Sequence, residues 1–405
     1  MKIPRSVFVQ RVSQVEEIAG KMGIKAVIVY ATGSSLGFAS RTHGYMRYLC
    51  NWDARNQAAV MVLFPDREKD PVLLVNGRAA KLFAGEIMWF SDIRSIAPDG
   101  YGKEIVQILQ ANVKDGDRIG YIGKAETPVN LYDTLRERLG GVKWVDADDI
   151  INERRVVKDE VSIDLHRRSA SVCDAMFETF SREVRSGKKV YQLQADLEHT
   201  AKMEGCEHAS TFMSIDTVVN RARYAKEECD RIPQEGDHVL LSLFVLKDGH
   251  WGHAIRTGSI GQVNPKLQET YQIVFEMQEA IKEAIFPGNE VVELWKAGER
   301  ILNKYYPKAR QKDWYWLKTG HSLGLDYSDP ILSDFFPNPF KSKQEVHLPV
   351  KHEKAFGRIM PGMLFEIHPS LFIPDHATAA IGNMFLATES GYEILDRYPR
   401  ELMVL

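Results

Sequence analysis

Gly362-Met363-Leu364-Phe365-Glu366-Ile367-His368-Pro369 is the stretch on which the reading of this chain turns. Glycine and proline bound it, and between them only Glu366 and His368 are polar. The apolar run predicts a strand over 363–368. Side chains of a strand alternate between its two faces, so Glu366 and His368 share one. A carboxylate and an imidazole on one face of an apolar strand are costly to bury without partners, which marks both as candidates for chemistry.

Four further segments carry the same mixture of apolar run and isolated polar residue. Gly236-Asp237-His238-Val239-Leu240-Leu241-Ser242 and Gly249-His250-Trp251-Gly252-His253-Ala254-Ile255-Arg256-Thr257 predict strands near 238–246 and 251–258. Thr319-Gly320-His321-Ser322-Leu323-Gly324-Leu325 is followed by Asp329-Pro330, and Gly382-Asn383-Met384-Phe385-Leu386-Ala387 predicts a strand over 382–387. Helical spacing is expected over 160–186, 190–204, 265–285 and 290–304. Separate groups of helices and strands make this half α+β.

The first half alternates instead. A helix over 6–22 stops at Gly23, and the apolar run Ala26-Val27-Ile28-Val29-Tyr30 follows as a buried strand. Strands at 58–64, 71–75, 118–122 and 143–146, with helices near 103–113 and 128–139, give an α/β domain. Charge gathers in Asn152-Glu153-Arg154-Arg155-Val156-Val157-Lys158-Asp159-Glu160. The boundary is placed there, giving domains 1–155 and 156–405.

Composition narrows the function classes. The net charge of −3, mixed in sign along 405 residues, offers no basic face for nucleic acid or anionic membrane. No apolar run reaches the ~18 residues of a transmembrane helix, and Met1-Lys2-Ile3-Pro4-Arg5 opens no signal-peptide core. Cys50, Cys173, Cys206 and Cys229 lack metal-ligand spacing or a dense disulfide pattern. A cytoplasmic protein is expected.

In order and spacing the quoted motifs resemble the pita-bread family of methionine aminopeptidase, prolidase, aminopeptidase P and creatinase, most closely the creatinase and prolidase branch. The resemblance implies a creatinase-like α/β N-terminal domain followed by an α+β pita-bread C-terminal domain, and a homodimer. The family's peptidases hold two metal ions with two aspartates, a histidine and two glutamates. Carried onto this chain, those positions fall on Ser242, His253, His321, His368 and Gly382. A substrate-handling histidine of the family falls on Ser328, and another among Tyr224, Ala225 and Lys226.

Ser242 and Gly382 cannot bridge two cations. The expectation is therefore a non-peptidase hydrolase, cleaving a C–N bond of a small polar molecule as creatinase and ectoine hydrolase do, with aminopeptidase activity excluded. The alternatives are a mononuclear metal enzyme of another class, such as a lyase, and an inactive binding scaffold. By the resemblance, His253, His321 and His368 surround one of the two metals. They would hold one divalent transition metal, zinc or iron, or act metal-free as general acid and base. Glu366 would orient an imidazole or accept a proton.

Arg55, Tyr224, Trp251 and Ser242 are the expected substrate-binding residues. In creatinase-like relatives an arginine near the place of Arg55 reaches the partner's pocket and holds a substrate carboxylate, so a carboxylated small molecule is expected. Tyr45, Arg47, Tyr48, Asn51, Trp52 and Asp53 would form the rim of that pocket. Arg256 is assigned to a structural ion pair.

Overall fold

A computed structural model describes residues 3–40, 42–66, 69–218, 230–307, 319–327, 357–373 and 376–405. The chain divides into two compact units, Met1–Arg155 with Leu325–Tyr327, and a second built from the remaining described residues.

In the first unit the chain runs α1 (Arg5–Lys21), β1 (Ile24–Thr32), α2 (His43–Cys50), β2 (Ala58–Leu63), β3 (Val72–Val75), α3 (Arg78–Ile87), β4 (Ile93–Ser95), α4 (Tyr101–Gln110), β5 (Arg118–Ile122), α5 (Val129–Arg138), β6 (Lys143–Asp146) and α6 (Asp148–Val156). The strands form one mixed sheet in the order β4-β3-β2-β1-β5-β6. β1 is parallel to β5 and antiparallel to β2. Its apolar run serves two cores at once. Val27, Val29 and Ala31 enter one cluster, while Ala26, Ile28 and Tyr30 enter the other. A strand covered on both faces needs such an uninterrupted run.

α2 corrects the expected pocket rim. Tyr45, Tyr48 and Trp52 are buried in the core beneath β1 rather than lining a rim. Beside them the charged end of α6 turns inward, and Arg155 Nη2 meets Asp326 Oδ2 at 2.5 Å, with both side chains buried. Asp326 Oδ1 also accepts the Gly44 N–H at 2.8 Å. His43 Nδ1 lies 3.2 Å from the Leu325 carbonyl oxygen.

Burial, with the Arg47 guanidinium nearby, pushes the His43 imidazole down to about 4. The folded state therefore holds His43 neutral where the unfolded chain takes up a proton. The stability it supports is complete above the ordinary histidine range near 6.5 and is lost as pH falls toward 4. Relative to a His43→Gln variant, the protein should lose on the order of 3 kcal/mol across that window. Urea unfolding of both proteins at pH 7 and pH 4.5 measures it, and a constant difference would count against the assignment.

The second unit begins with α7 (Glu160–Glu183), whose N-terminus is capped by Asp159 accepting from the Ser162 N–H at 2.8 Å. It continues through α8 (Val190–Met203), β7 (His208–Asp216), β8 (His238–Lys247), β9 (His250–Ser259), α9 (Pro265–Lys282), α10 (Val291–Tyr305), β10 (Gly320–Ser322), β11 (Leu364–Ile367), β12 (Ser370–Ile373), β13 (Ala377–Ala380), β14 (Asn383–Thr388), β15 (Gly391–Ile394) and β16 (Met403–Val404). Two four-stranded sheets result, β16-β9-β8-β7 and β10-β11-β14-β15. A bridge between Ile255 and Gly382 joins β9 to the start of β14 and draws the two sheets together. α7 and α8 pack on β7–β9 through Phe177, Phe180, Leu193 and Leu241.

Among the described residues no helix is long and apolar enough to cross a membrane.

Candidate metal centre

The site forms where the two sheets of the second unit meet. His253 lies on β9, paired with Phe244 across the β8–β9 hairpin. His321 lies on β10, directly opposite Glu366 on β11. His368 follows two residues later. β11 sits between β10 and β14, so Glu366 is on an interior strand and is fully buried. Burying a carboxylate there requires compensation from the groups around it.

Three imidazoles surround it. Glu366 Oε2 lies 3.1 Å from His368 Nε2, 3.5 Å from His253 Nδ1 and 3.7 Å from His321 Nε2. The ring centroids of the three histidines are 5.3–5.7 Å apart. Each ring is held from behind. His321 Nδ1 lies 2.8 Å from the Ser322 carbonyl and must donate to it, which leaves the Nε2 lone pair toward Glu366. Ser242 Oγ lies 3.0 Å from His253 Nε2. With Ser242 accepting there, His253 Nδ1 keeps its lone pair toward the same point. Phe244 stacks on the His253 ring at 4.4 Å between centroids.

His253, His321 and Glu366 each offer one ligand atom, and these atoms lie within 4.8 Å of one another. Among the described residues this is the group of His, Cys, Asp and Glu side chains spaced to hold an ion. It shares His253 and His321 with the expected set. Glu366 stands in the group where three histidines were expected, and His368 touches it through the carboxylate. Two imidazoles and one carboxylate fit a single divalent ion with an open position. At the two other positions carried over from the family, Ser242 brings a hydroxyl and Gly382 no side chain.

Trp251, Arg55 and Tyr224 were also expected to bind substrate. Trp251 is buried, with its ring against His208 at 5.8 Å. Burial lowers the His208 imidazole below its ordinary value. Arg55 belongs to the first unit, is exposed, and holds a left-handed backbone with φ 55°. Tyr224 and Ser328 fall outside the described residues. Arg256 is the buried ion-pair residue expected, with Nη2 at 3.1 Å from Asp396 Oδ2. Phe244 escaped the sequence reading, although its place opposite His253 follows from the hairpin turn at Asp248-Gly249.

The family model described as Metallopeptidase family M24 matches residues 164–389, and that of the Creatinase/Prolidase N-terminal domain matches 11–157. The chain therefore belongs to metallopeptidase family M24, with the creatinase-like α/β domain ahead of the pita-bread fold. A putative dipeptidase, YkvY of Bacillus subtilis, is 23% identical over 88% of this chain and 92% of its own length. An Xaa-Pro dipeptidase of Pyrococcus furiosus is 24% identical over 82% of this chain and 88% of its own. The crystal structure of a prolidase from Pyrococcus horikoshii superposes with a TM-score of 0.75 at 20% identity, covering 97% of this chain and 100% of that one.

These findings overturn two expectations. The chain was expected to be a non-peptidase hydrolase, with a lyase or an inactive scaffold as alternatives, and aminopeptidase activity was excluded. The relatives that match across most of its length are named as dipeptidases, which points to a peptidase. The exclusion rested on the demands of a two-ion site, and a one-ion donor set does not impose them.

Proposed function

We propose that the chain hydrolyses the amide bond of a short peptide, of the dipeptide class for which its relatives are named, using one divalent ion. The observation that carries this reading is the convergence of His253, His321 and Glu366 within 4.8 Å. Two histidines and a glutamate with an open fourth position are also the donor set of mononuclear zinc peptidases. When bound, the ion would polarise the scissile carbonyl and lower the pKa of an attacking water. The protein's own part is to aim two imidazole lone pairs at one point, through Ser242 behind His253 and the Ser322 carbonyl behind His321. Phe244 shields one face of His253 from water. His368 places Nε2 beside the carboxylate and is the group set to move a proton to the leaving amine.

A dipeptide ends in a carboxylate, and we assign its capture to Arg55 reaching the pocket of the partner subunit, its loop fixed by Asp53 accepting the Arg55 N–H at 2.9 Å. The reading includes a homodimer, to be checked by light scattering, where a monomer at micromolar concentration would count against it. Arg55→Ala should raise KM about 10–100-fold with little change in kcat.

The direct test is amino-acid release from a panel of Xaa-Pro and other dipeptides by protein loaded with zinc, manganese or cobalt. Hydrolysis that a chelator stops and the ion restores is expected. Protein that holds an ion yet cleaves no dipeptide would refute the assignment.

A further inference from the structure

Gly382 lies at the bridge to Ile255, with its N–H and carbonyl bonded to Ile255. A Cβ built on it would stand 2.4 Å from Glu366 Oε1, and 2.9 Å from Ile255 Cγ1. Any side chain at 382 would therefore share space with the Glu366 carboxylate. The absent side chain and the buried glutamate are one arrangement, in which the space beside β14 is filled from β11.

We propose that Gly382 is a positioning residue whose missing side chain admits Glu366 as an inner ligand of a single-ion site. This rests on the one-ion reading above and adds the route by which the carboxylate reaches the ion. The distances separate a ligand from a simple ion-pair partner. Charge-assisted N–H···O bonds are about 2.7–2.9 Å long. The His253 and His321 contacts, at 3.5 and 3.7 Å, are longer than that. Ligand atoms about 2.1 Å from a tetrahedrally held zinc stand about 3.4 Å from each other. The two separations from the carboxylate are close to that between neighbouring ligands of one ion. The site also carries one carboxylate and so less negative charge than two clustered cations need. One ion per chain follows, with a preference for zinc, iron or cobalt over manganese, since imidazole suits the former group.

The experiment measures Zn²⁺ affinity and stoichiometry by calorimetry, and the visible d–d band of Co²⁺ as a reporter of the ligand set, in four full-length proteins. These are wild type, Glu366→Ala, Gly382→Ala and the double variant. Wild type should bind one ion per chain. Gly382→Ala should weaken binding roughly 10–100-fold and alter the Co²⁺ band. In the Glu366→Ala background the same glycine change should cost little further in ion affinity, because the carboxylate it displaces is gone and only the approach to Ile255 Cγ1 at 2.9 Å remains. If Gly382→Ala fails to fold, the double variant should fold, since the clash with the carboxylate is relieved, and Glu366→Gln then tests ligation with shape preserved. Wild type without a Zn²⁺ site would overturn the one-ion reading itself. Wild type binding with Gly382→Ala equally tight, or an equal loss in both backgrounds, would overturn the role of Gly382 and leave that reading standing.

Discussion

Alanine in place of His321 should remove the bound ion and dipeptide hydrolysis together. kcat/KM should fall about 10³-fold or more, which is about 4 kcal/mol of transition-state stabilisation. The reason lies in the donor count. His253, His321 and Glu366 form the spaced group, and three protein ligands leave none to spare. His253→Ala should behave alike. His368→Ala should differ, because its Nε2 contacts the carboxylate and the ring stands outside that group. It should keep the ion and lose about 10²–10⁴ in rate, the usual worth of a proton-transfer group. Elemental analysis of each purified variant beside its dipeptidase rate distinguishes the two roles. Full metal content in His321→Ala would sink the assignment.

The second large effect is on stability. Arg256 is fully buried, and its guanidinium spends its donors on five acceptors. Nε donates to the Pro399 carbonyl at 2.7 Å, Nη1 to the Ile255 and Gly382 carbonyls at 2.9 and 2.7 Å, and Nη2 to the Tyr398 carbonyl at 2.8 Å and Asp396 at 3.1 Å. Asp396 in turn accepts from the Met384 N–H at 2.8 Å and Asn383 Nδ2 at 2.5 Å. Arg256→Leu leaves that carboxylate buried without its cation and takes a donor away from four carbonyls. The cost should be about 3–5 kcal/mol. Arg256→Lys should recover little, since one ammonium cannot span the fork of acceptors. Urea unfolding measures both. A loss under 1 kcal/mol in Arg256→Leu would mean that the network relaxes around the gap.

The sequence was most legible where one local rule decides. The apolar run of β1 announces a strand covered on both faces, and period-two spacing puts Glu366 and His368 on one side of β11. It was least legible where meaning depends on a distant atom. α2 carries glycine and aromatic residues that argue weakly for a helix, and only packing beneath β1 shows its tyrosines to be core. Gly382 reads as a lost ligand because a sequence records the missing side chain and not what fills the space. The carboxylate that fills it is 16 positions away on the neighbouring strand, where Glu366 pairs with Met384. That omission, together with Ser242, carried the functional expectation away from peptidases.

The pairing of Arg155 with Asp326 also bears on how the protein is made. The partners are 171 residues apart. A ribosome adding roughly 5–20 residues per second needs about 10–30 s to travel from one to the other. During that interval Arg155 and the Gly44 N–H at the start of α2 are without the carboxylate that meets both in the folded protein. Vectorial synthesis therefore does not deliver a finished N-terminal unit first. Its last three residues, Leu325–Tyr327, arrive directly after the strand that carries His321, so that unit is completed only once residues 156–324 of the second have been made.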